Sequence, residues 1–484
     1  MNFISLSFLA FFILTFFVYW QLPQRFRVGF LILASLFYYG FYSPVFLLHF
    51  VLVILINYLL VRQISATGSR GLLGVAVALN ILHLVFFKYF NSAIQLIAPV
   101  TGIADAAALK ITMPLAISFY TFQFIAFQVD VYRAGNMVAG AGGTKPLSAL
   151  EVSAPRFFLF MLFFPHLISG PILRSSDFYR QIGNETLSQE GQTRGAYLIA
   201  LGLIKKLFIA DVIGYLINPV FKAPADYGTV DTLIAIFGYS AQIYCDFSGF
   251  IDIARGMAKL FGYDMPNNFR SPYFSTSFSE LWTRWHITLS NFIREYVYFP
   301  LGGNRVSQAR QYFNLMTAMV LSGLWHGETL NFLLWGFLHG LYLCVEKILK
   351  VGKSPGAHGG AGFARETMSL WARTQNSIWW FIRNAWVLIG WSFAFVFFRA
   401  ADFKSATTVI AQVFAWKAST LTWSLALSLI ALTWIVQYLE MKRDALLGYF
   451  MPRSKVWIPA LMALIIFLIA RVQIPNEAFI YVQF

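Results

Sequence analysis

Apolar runs of bilayer-crossing length follow one another along this chain, and they decide most of what it can fold into. Residues 3–20, 45–60, 72–87, 113–129 and 198–216 are predominantly apolar, each near the ~20 residues a helix needs to span a hydrocarbon core. Continuing to the C-terminus gives roughly eleven to thirteen membrane segments. The chain is 58% hydrophobic and 12% charged, against about 25% charged in a soluble domain, which excludes a water-soluble fold. The expected fold is all-α and polytopic.

The first run has no basic region before it and no small-residue cleavage site after it, so it reads as a retained span rather than a signal peptide. Arg25 and Arg27 follow the first run, and Arg62 and Arg70 follow the run 45–60, the third span of the chain. That pattern predicts an N-terminus facing away from the cytoplasm. Lys442, Arg443, Arg453 and Lys455 predict a cytoplasmic loop before the last span. The net charge of +15 is spread over short loops, with no dense basic cluster or aromatic RNA-binding signature, so nucleic acid is not the expected partner. Topology, anionic lipid and an anionic cytoplasmic ligand account for it. Cys245 and Cys344 lie far apart in apolar surroundings and read as packing residues rather than a disulfide framework.

Two Gly-rich stretches, 135–151 and 352–364, read as surface loops. They divide a single membrane domain into an N-terminal bundle (1–134), a central portion (155–350) and a C-terminal set of helices (377–484). The central portion places Pro, Gly, Arg, Asp and His where a plain bundle would place Leu and Val. Polar residues at membrane depth are costly and usually functional. Pro165-His166-Leu167-Ile168-Ser169-Gly170-Pro171-Ile172 cannot form one straight helix, and broken backbone at that depth belongs inside protein or beside a water-filled cavity. From Phe278 to Tyr296, apolar residues recur at steps of three and four, which predicts one amphipathic helix with His286 at the edge of its apolar stripe.

In Ser322-Gly323-Leu324-Trp325-His326-Gly327, a histidine sits between the apolar runs 315–321 and 332–341. Low dielectric favours the uncharged imidazole, which is the form a general base needs. Position alone leaves two readings open: a base, or a packed ring bonded to a backbone carbonyl. His286 reads either as part of such a site or as an interfacial contact. His339 follows His326 by thirteen residues, about 220° around one continuous helix, so the two would not share a face. His166 reads as structural, and His49, His83 and His358 have no supporting context. A metal held by His286, His326, Asp246 and Asp252 lacks the short histidine spacings of zinc sites, and no metal is expected. In Asp246-Phe247-Ser248-Gly249-Phe250-Ile251-Asp252, Asp246 or Ser248 is placed to cap a helix. Asp252, Arg255 and Lys259 would then share a face.

Taken in order, five words resemble the membrane-bound O-acyltransferase family, in its bacterial branch of alginate O-acetyltransferase and D-alanyl transfer proteins. They are 166–172, 246–252, Asn268-Phe269-Arg270-Ser271-Pro272-Tyr273, Arg284-Trp285-His286-Ile287-Thr288-Leu289-Ser290 leading to Pro300-Leu301-Gly302-Gly303-Asn304-Arg305, and Leu324-Trp325-His326-Gly327. Phe397-Phe398-Arg399-Ala400 and the closing residues 479–484 are similar to the alginate type. The chain departs from the pattern at Thr283, where many relatives have a second Arg, and at Leu330-Asn331, which replaces a more aromatic stretch.

The resemblance implies a ring of tilted and re-entrant helices around a central tunnel, in a bacterial inner membrane. It implies His326 as catalytic residue and His286 as its partner, with substrate contacts from Asp246, Ser248, Arg284, Trp285, Trp325 and Asn331. Arg255, Lys259 and Arg270 are candidates for an anionic donor. No bound cofactor is implied; the donor would be acetyl-CoA or an acyl carrier protein. The partners would be a periplasmic acetyltransferase of SGNH type and, as final acceptor, a polysaccharide such as alginate. D-alanyl transfer to teichoic acid is the second reading, and a proton-coupled transporter the alternative of another class. The transporter reading lacks paired interrupted segments in two halves.

Overall fold

The structure, a computed structural model, describes residues 3–101, 111–136, 152–167, 170–351, 370–419, 421–450, 459–460 and 462–463. Most of the loop at 135–151, the loop at 352–364 with His358, residues 168–169, Arg453, Lys455 and the closing word 479–484 lie outside them. The described residues form helices joined by turns and irregular segments, with no strand among them. In chain order the α-helices are α1 (Leu6–Gln21), α2 (Gln24–Gly40), α3 (Pro44–Thr67), α4 (Arg70–Thr101), α5 (Ile117–Asn136), α6 (Ala154–Leu162), α7 (Phe164–Leu167), α8 (Gln189–Leu203), α9 (Asp211–Lys222), α10 (Thr229–Leu260), α11 (Phe278–Arg284), α12 (Ile287–Ile293), α13 (Gln308–His326), α14 (Leu330–Ile348), α15 (Leu370–Arg399), α16 (Phe403–Gln412), α17 (Ser424–Met441) and α18 (Arg443–Phe450).

Four described helices are long and apolar enough by composition to cross a membrane: Pro44–Thr67, Arg70–Ala98, Ser377–Arg399 and Ser424–Met441. The sequence count of eleven to thirteen also includes runs that the structure renders as shorter helices, such as α1, or as broken or charge-bearing ones. α3 and α4 turn Leu48, Leu52, Leu55, Leu59, Leu79 and Leu82 outward, as helices facing lipid do.

The core is organised on α10. It has 32 residues, about 48 Å at 1.5 Å per residue, and from Tyr239 to Ala258 nearly every residue is buried. A helix buried all round is a central helix. Its neighbour α8 approaches so closely that a Cβ on Gly202 would sit 2.5 Å from the Gly249 carbonyl oxygen, and one on Gly256 would sit 2.6 Å from that of Gly195. Small residues permit this contact between membrane helices. α13 and α14 form an antiparallel hairpin closed in the same way, since a Cβ on Gly323 would lie 2.2 Å from the Phe332 oxygen and one on Gly336 2.4 Å from that of Met319.

Between α8 and α9 the chain widens into a π-helical segment, Ile204–Ala210. It carries two buried lysines. Lys206 pairs with Asp211 at 2.6 Å and with Asp246 at 2.7 Å. Lys205 pairs with Asp252, and with Glu440 of α17 at 2.8 Å; Tyr244 donates to the same Glu440 at 2.5 Å. These bonds tie the C-terminal helices to the centre. The expectation that Asp246 or Ser248 caps a helix is corrected here, because α10 runs unbroken through both. Asp246 is drawn to the Lys206 ammonium inside the protein instead.

Candidate active site

His286 stands where the sequence predicts one amphipathic helix over 278–296 and the structure breaks it. α11 ends at Arg284, Trp285 is extended, and His286 takes left-handed backbone angles (φ 40°, ψ 54°) before α12 begins. The break is made by residues 268–270. Arg270 N–H donates to the Arg284 carbonyl at 2.9 Å, Ile287 N–H donates to the Asn268 carbonyl at 3.0 Å, and Asn268 Oδ1 accepts from Thr288 N–H at 3.0 Å and Thr288 Oγ1 at 2.9 Å. Backbone groups that a continuous helix would bond internally are thus satisfied across the chain. The same Asn268 Oδ1 lies 3.3 Å from His286 Nδ1, and the Phe247 ring of α10 meets the imidazole edge-on at 4.7 Å. A non-glycine residue in this conformation costs about 1–3 kcal/mol and persists where its surroundings over-determine it. The broken segment at 165–172 leads to the same place: Ile172 N–H donates to Thr288 Oγ1 at 3.1 Å.

His326 is the last residue of α13, where Gly327 leaves the helix in an extended conformation. Its ring is buried against Trp325 (4.8 Å), Trp335 of α14 (5.0 Å) and Phe398 of α15 (5.2 Å). Trp325 bridges the two histidines, with its centroid 6.3 Å from that of His286. It also stacks on Phe122 at 5.2 Å, which stacks on Phe292 at 4.1 Å. An unbroken run of rings therefore connects α5, α12, His286 and His326.

Two cavities adjoin residues that contact these histidines. The larger, about 410 Å³, is lined by Lys88, Gln242, Gly327, Glu328, Phe398 and Arg399 among others, and Phe398 is the ring against His326. The second, about 240 Å³, is lined by Lys205, Ser248, Asp252, Arg255, residues 267–271, Arg284, Glu440, Met441 and Arg443; Asn268, which holds His286, forms part of its wall. α10 passes both, with Gln242 at the first and Asp252 at the second, about 15 Å apart along the axis. The second cavity lies toward the end of α10 that α1 reaches, where Tyr19 and Trp20 donate to the Phe261 and Leu260 carbonyls. It is the more cationic. Lys205, Arg255, Arg270, Arg284 and Arg443 face it, against Asp252 and Glu440, both already paired with Lys205.

The remaining sequence candidates divide. Ser248 and Arg284 line the smaller cavity, Arg284 also pairing with Glu280 at 2.7 Å. Arg255 and Arg270 line it too, whereas Lys259 pairs with Asp264 at 2.5 Å beside a separate, smaller pocket. Trp285 packs against Trp391 and Phe269 at 4.9 and 5.0 Å, in the core. Asn331 is buried and donates to the Ala400 carbonyl at 3.1 Å, which ties α14 to the end of α15. Asp246 is held by Lys206. Among the described residues no three His, Cys, Asp or Glu side chains group to hold a metal.

The helical-wheel separation of His326 and His339 does not apply, because the chain turns at 327–329 and puts them on different helices. Both rings pack on Trp335, at 5.0 and 4.7 Å, although His339 lies among Trp282, Trp335 and Trp391, away from both cavities. His166 is buried beside Phe163 and Phe178. Sequence reasoning passes over Lys88, Gln242 and Asn268 as individual residues. For Lys88 a signal was there, a lone cation inside a long apolar run.

The model of the membrane-bound O-acyltransferase family matches residues 100–352. The chain is 34% identical over 419 residues to a probable alginate O-acetylase of Pseudomonas aeruginosa, covering 84% of this chain and 73% of the relative. It is 32% identical over 434 residues to a peptidoglycan O-acetyltransferase of Helicobacter pylori, covering 84% and 77%. A teichoic acid D-alanyltransferase of Streptococcus thermophilus is 28% identical over 250 residues, covering 48% and 56%.

Proposed function

The chain belongs to the membrane-bound O-acyltransferase family and is a membrane-bound acyltransferase, and on that premise we propose that it moves an acetyl group from a cytoplasmic thioester to a hydroxyl acceptor across a bacterial inner membrane. The observation that carries this reading is the pair of buried histidines whose neighbours Phe398 and Asn268 each line one of two cavities at different positions along α10, the smaller of them cationic. Five cations beside two paired carboxylates suit a donor bearing several phosphates, so acetyl-CoA is the first donor and an acyl carrier protein the second. The smaller cavity is then cytoplasmic, which agrees with Arg25 and Arg27 following α1 on that side.

Uncharged His326 takes the proton of the acceptor hydroxyl as its oxygen attacks the thioester carbonyl. The C–S bond breaks, and the proton passes from the imidazolium to the leaving thiolate. Such a base contributes typically ~10² to 10⁴ in rate. His286, held by Asn268, orients the donor carbonyl or stabilises its developing negative charge. The acetyl group then reaches a polysaccharide such as alginate through a periplasmic acetyltransferase partner of SGNH type; the likeness to alginate and peptidoglycan O-acetylating proteins supports the polysaccharide acceptor.

The test is transfer of radiolabelled acetyl from acetyl-CoA in proteoliposomes holding the protein. Wild type transfers label and His326→Ala falls to background. Near wild-type transfer by His326→Ala removes the base assignment. Indifference to acetyl-CoA, with transfer from an acylated carrier protein, replaces the donor.

A further inference from the structure

We infer that Lys88 is a positioning residue of the transfer reaction, fixing from the N-terminal bundle the helix end that carries His326; this rests on the reading of His326 as the base. A lysine within a membrane-spanning helix costs about 2.5–3.5 kcal/mol at bilayer depth and marks a function by default. Lys88 lies in α4 between Phe86, Phe87 and Phe90, is 8% exposed, and sends its ammonium across to the Trp325 carbonyl. The next residue repeats the move, with Tyr89 Oη donating to the Leu324 carbonyl at 2.7 Å. Two adjacent residues of α4 thus close two adjacent carbonyls of α13, the pair immediately before His326.

The need for such closure is general. The last four carbonyls of a helix have no donor within it. Gly327 N–H takes the Gly323 oxygen at 3.3 Å, and Tyr89 and Lys88 complete the series through residue 325. Water serves this purpose at exposed helix ends, but here the end is buried and Lys88 forms part of the wall of the larger cavity. A cation at a helix C-terminus is also favoured by the helix dipole. With the Trp325 indole bonded to the Ser118 carbonyl of α5 at 3.4 Å, the last turn is held from two sides. Displacing a reacting group by about 1 Å costs on the order of 10²-fold in rate.

The experiment measures acetyl transfer from radiolabelled acetyl-CoA into endogenous acceptor, in membranes carrying equal amounts of folded wild type, Lys88→Met, Lys88→Arg, Tyr89→Phe or His326→Ala. Lys88→Met keeps the stem and loses the charge. Its apparent kcat is expected to fall about 10- to 100-fold with the KM for acetyl-CoA within about twofold of wild type. Lys88→Arg is expected to regain most of that loss, and Tyr89→Phe to lose less than Lys88→Met. Unchanged kcat in Lys88→Met, or a loss that vanishes when normalised to folded protein, overturns the inference. Normal transfer by His326→Ala instead removes the base reading, whereas silence of His326→Ala beside a normal Lys88→Met sinks only the role of Lys88.

Discussion

His286 and His326 are both sealed inside the protein, yet the chain holds them by opposite means. His286 occupies a strained backbone position between two short helices, and its Nδ1 lies at Asn268 Oδ1, which also caps α12. His326 closes a regular helix of 19 residues and is held by ring contacts from its neighbour Trp325 and from two other helices, through Trp335 of α14 and Phe398 of α15. The first arrangement fixes a direction through backbone bonds. The second fixes a place largely through packing of rings. That difference fits an orienting group on one side of the reaction and a proton-accepting group on the other.

The largest expected effect tests the packed side. His326→Ala should lower acetyl transfer by about 10²–10⁴-fold, with the thermal midpoint in detergent near wild type; a residual rate within tenfold of wild type would erase the contrast between the histidines. On the polar side, Asn268→Ala should cost about 10–100-fold in kcat and about 1–3 kcal/mol of stability, because Thr288 N–H loses its buried acceptor. If that variant lost stability but kept its rate per folded molecule, Asn268 would be a cap and nothing more.

A smaller effect separates donor binding from chemistry. Arg443→Gln should raise the KM for acetyl-CoA about 5- to 10-fold while kcat holds, and the increase should shrink at high salt. A fall in kcat at constant KM would move Arg443 out of the donor cavity's role. The smallest effect probes the strained backbone. His286→Gly should unfold at a slightly higher temperature than His286→Ala, by a margin corresponding to about 1 kcal/mol, since glycine accepts positive φ freely. Equal midpoints would mean that the surroundings no longer impose that conformation once the ring is gone.

Much of this site was legible in the sequence, and what was not has identifiable causes. His326 stood out because an ionisable residue between apolar runs is costly, and the words around it carried the resemblance. The break at Trp285–His286 was hidden because the apolar periodicity of 278–296 is genuinely helical; only pairing with Asn268 and Arg270, distant in sequence, interrupts it. Asp246 appeared as a cap or ligand because its partner Lys206 is forty residues away, in a π-helical stretch that composition does not announce. Phe398 belonged to a noted word, but its contact with His326 depends on how α15 packs against α13 and α14. Local pattern found the groups with unusual chemistry, whereas the residues that aim them are ordinary amino acids made specific by tertiary contact.

The run of rings from Phe292 through Phe122 and Trp325 to His326 bears on the energy economy of the cell as well as on geometry. A passage open to water from both faces of a membrane would let protons return down their gradient with every thermal fluctuation. Aromatic rings packed against one another around the two histidines oppose a continuous water file. If acetyl changes sides as proposed, by exchanging one covalent bond for another, neither donor nor acceptor has to travel through the barrier, and the membrane keeps its electrical resistance throughout the reaction.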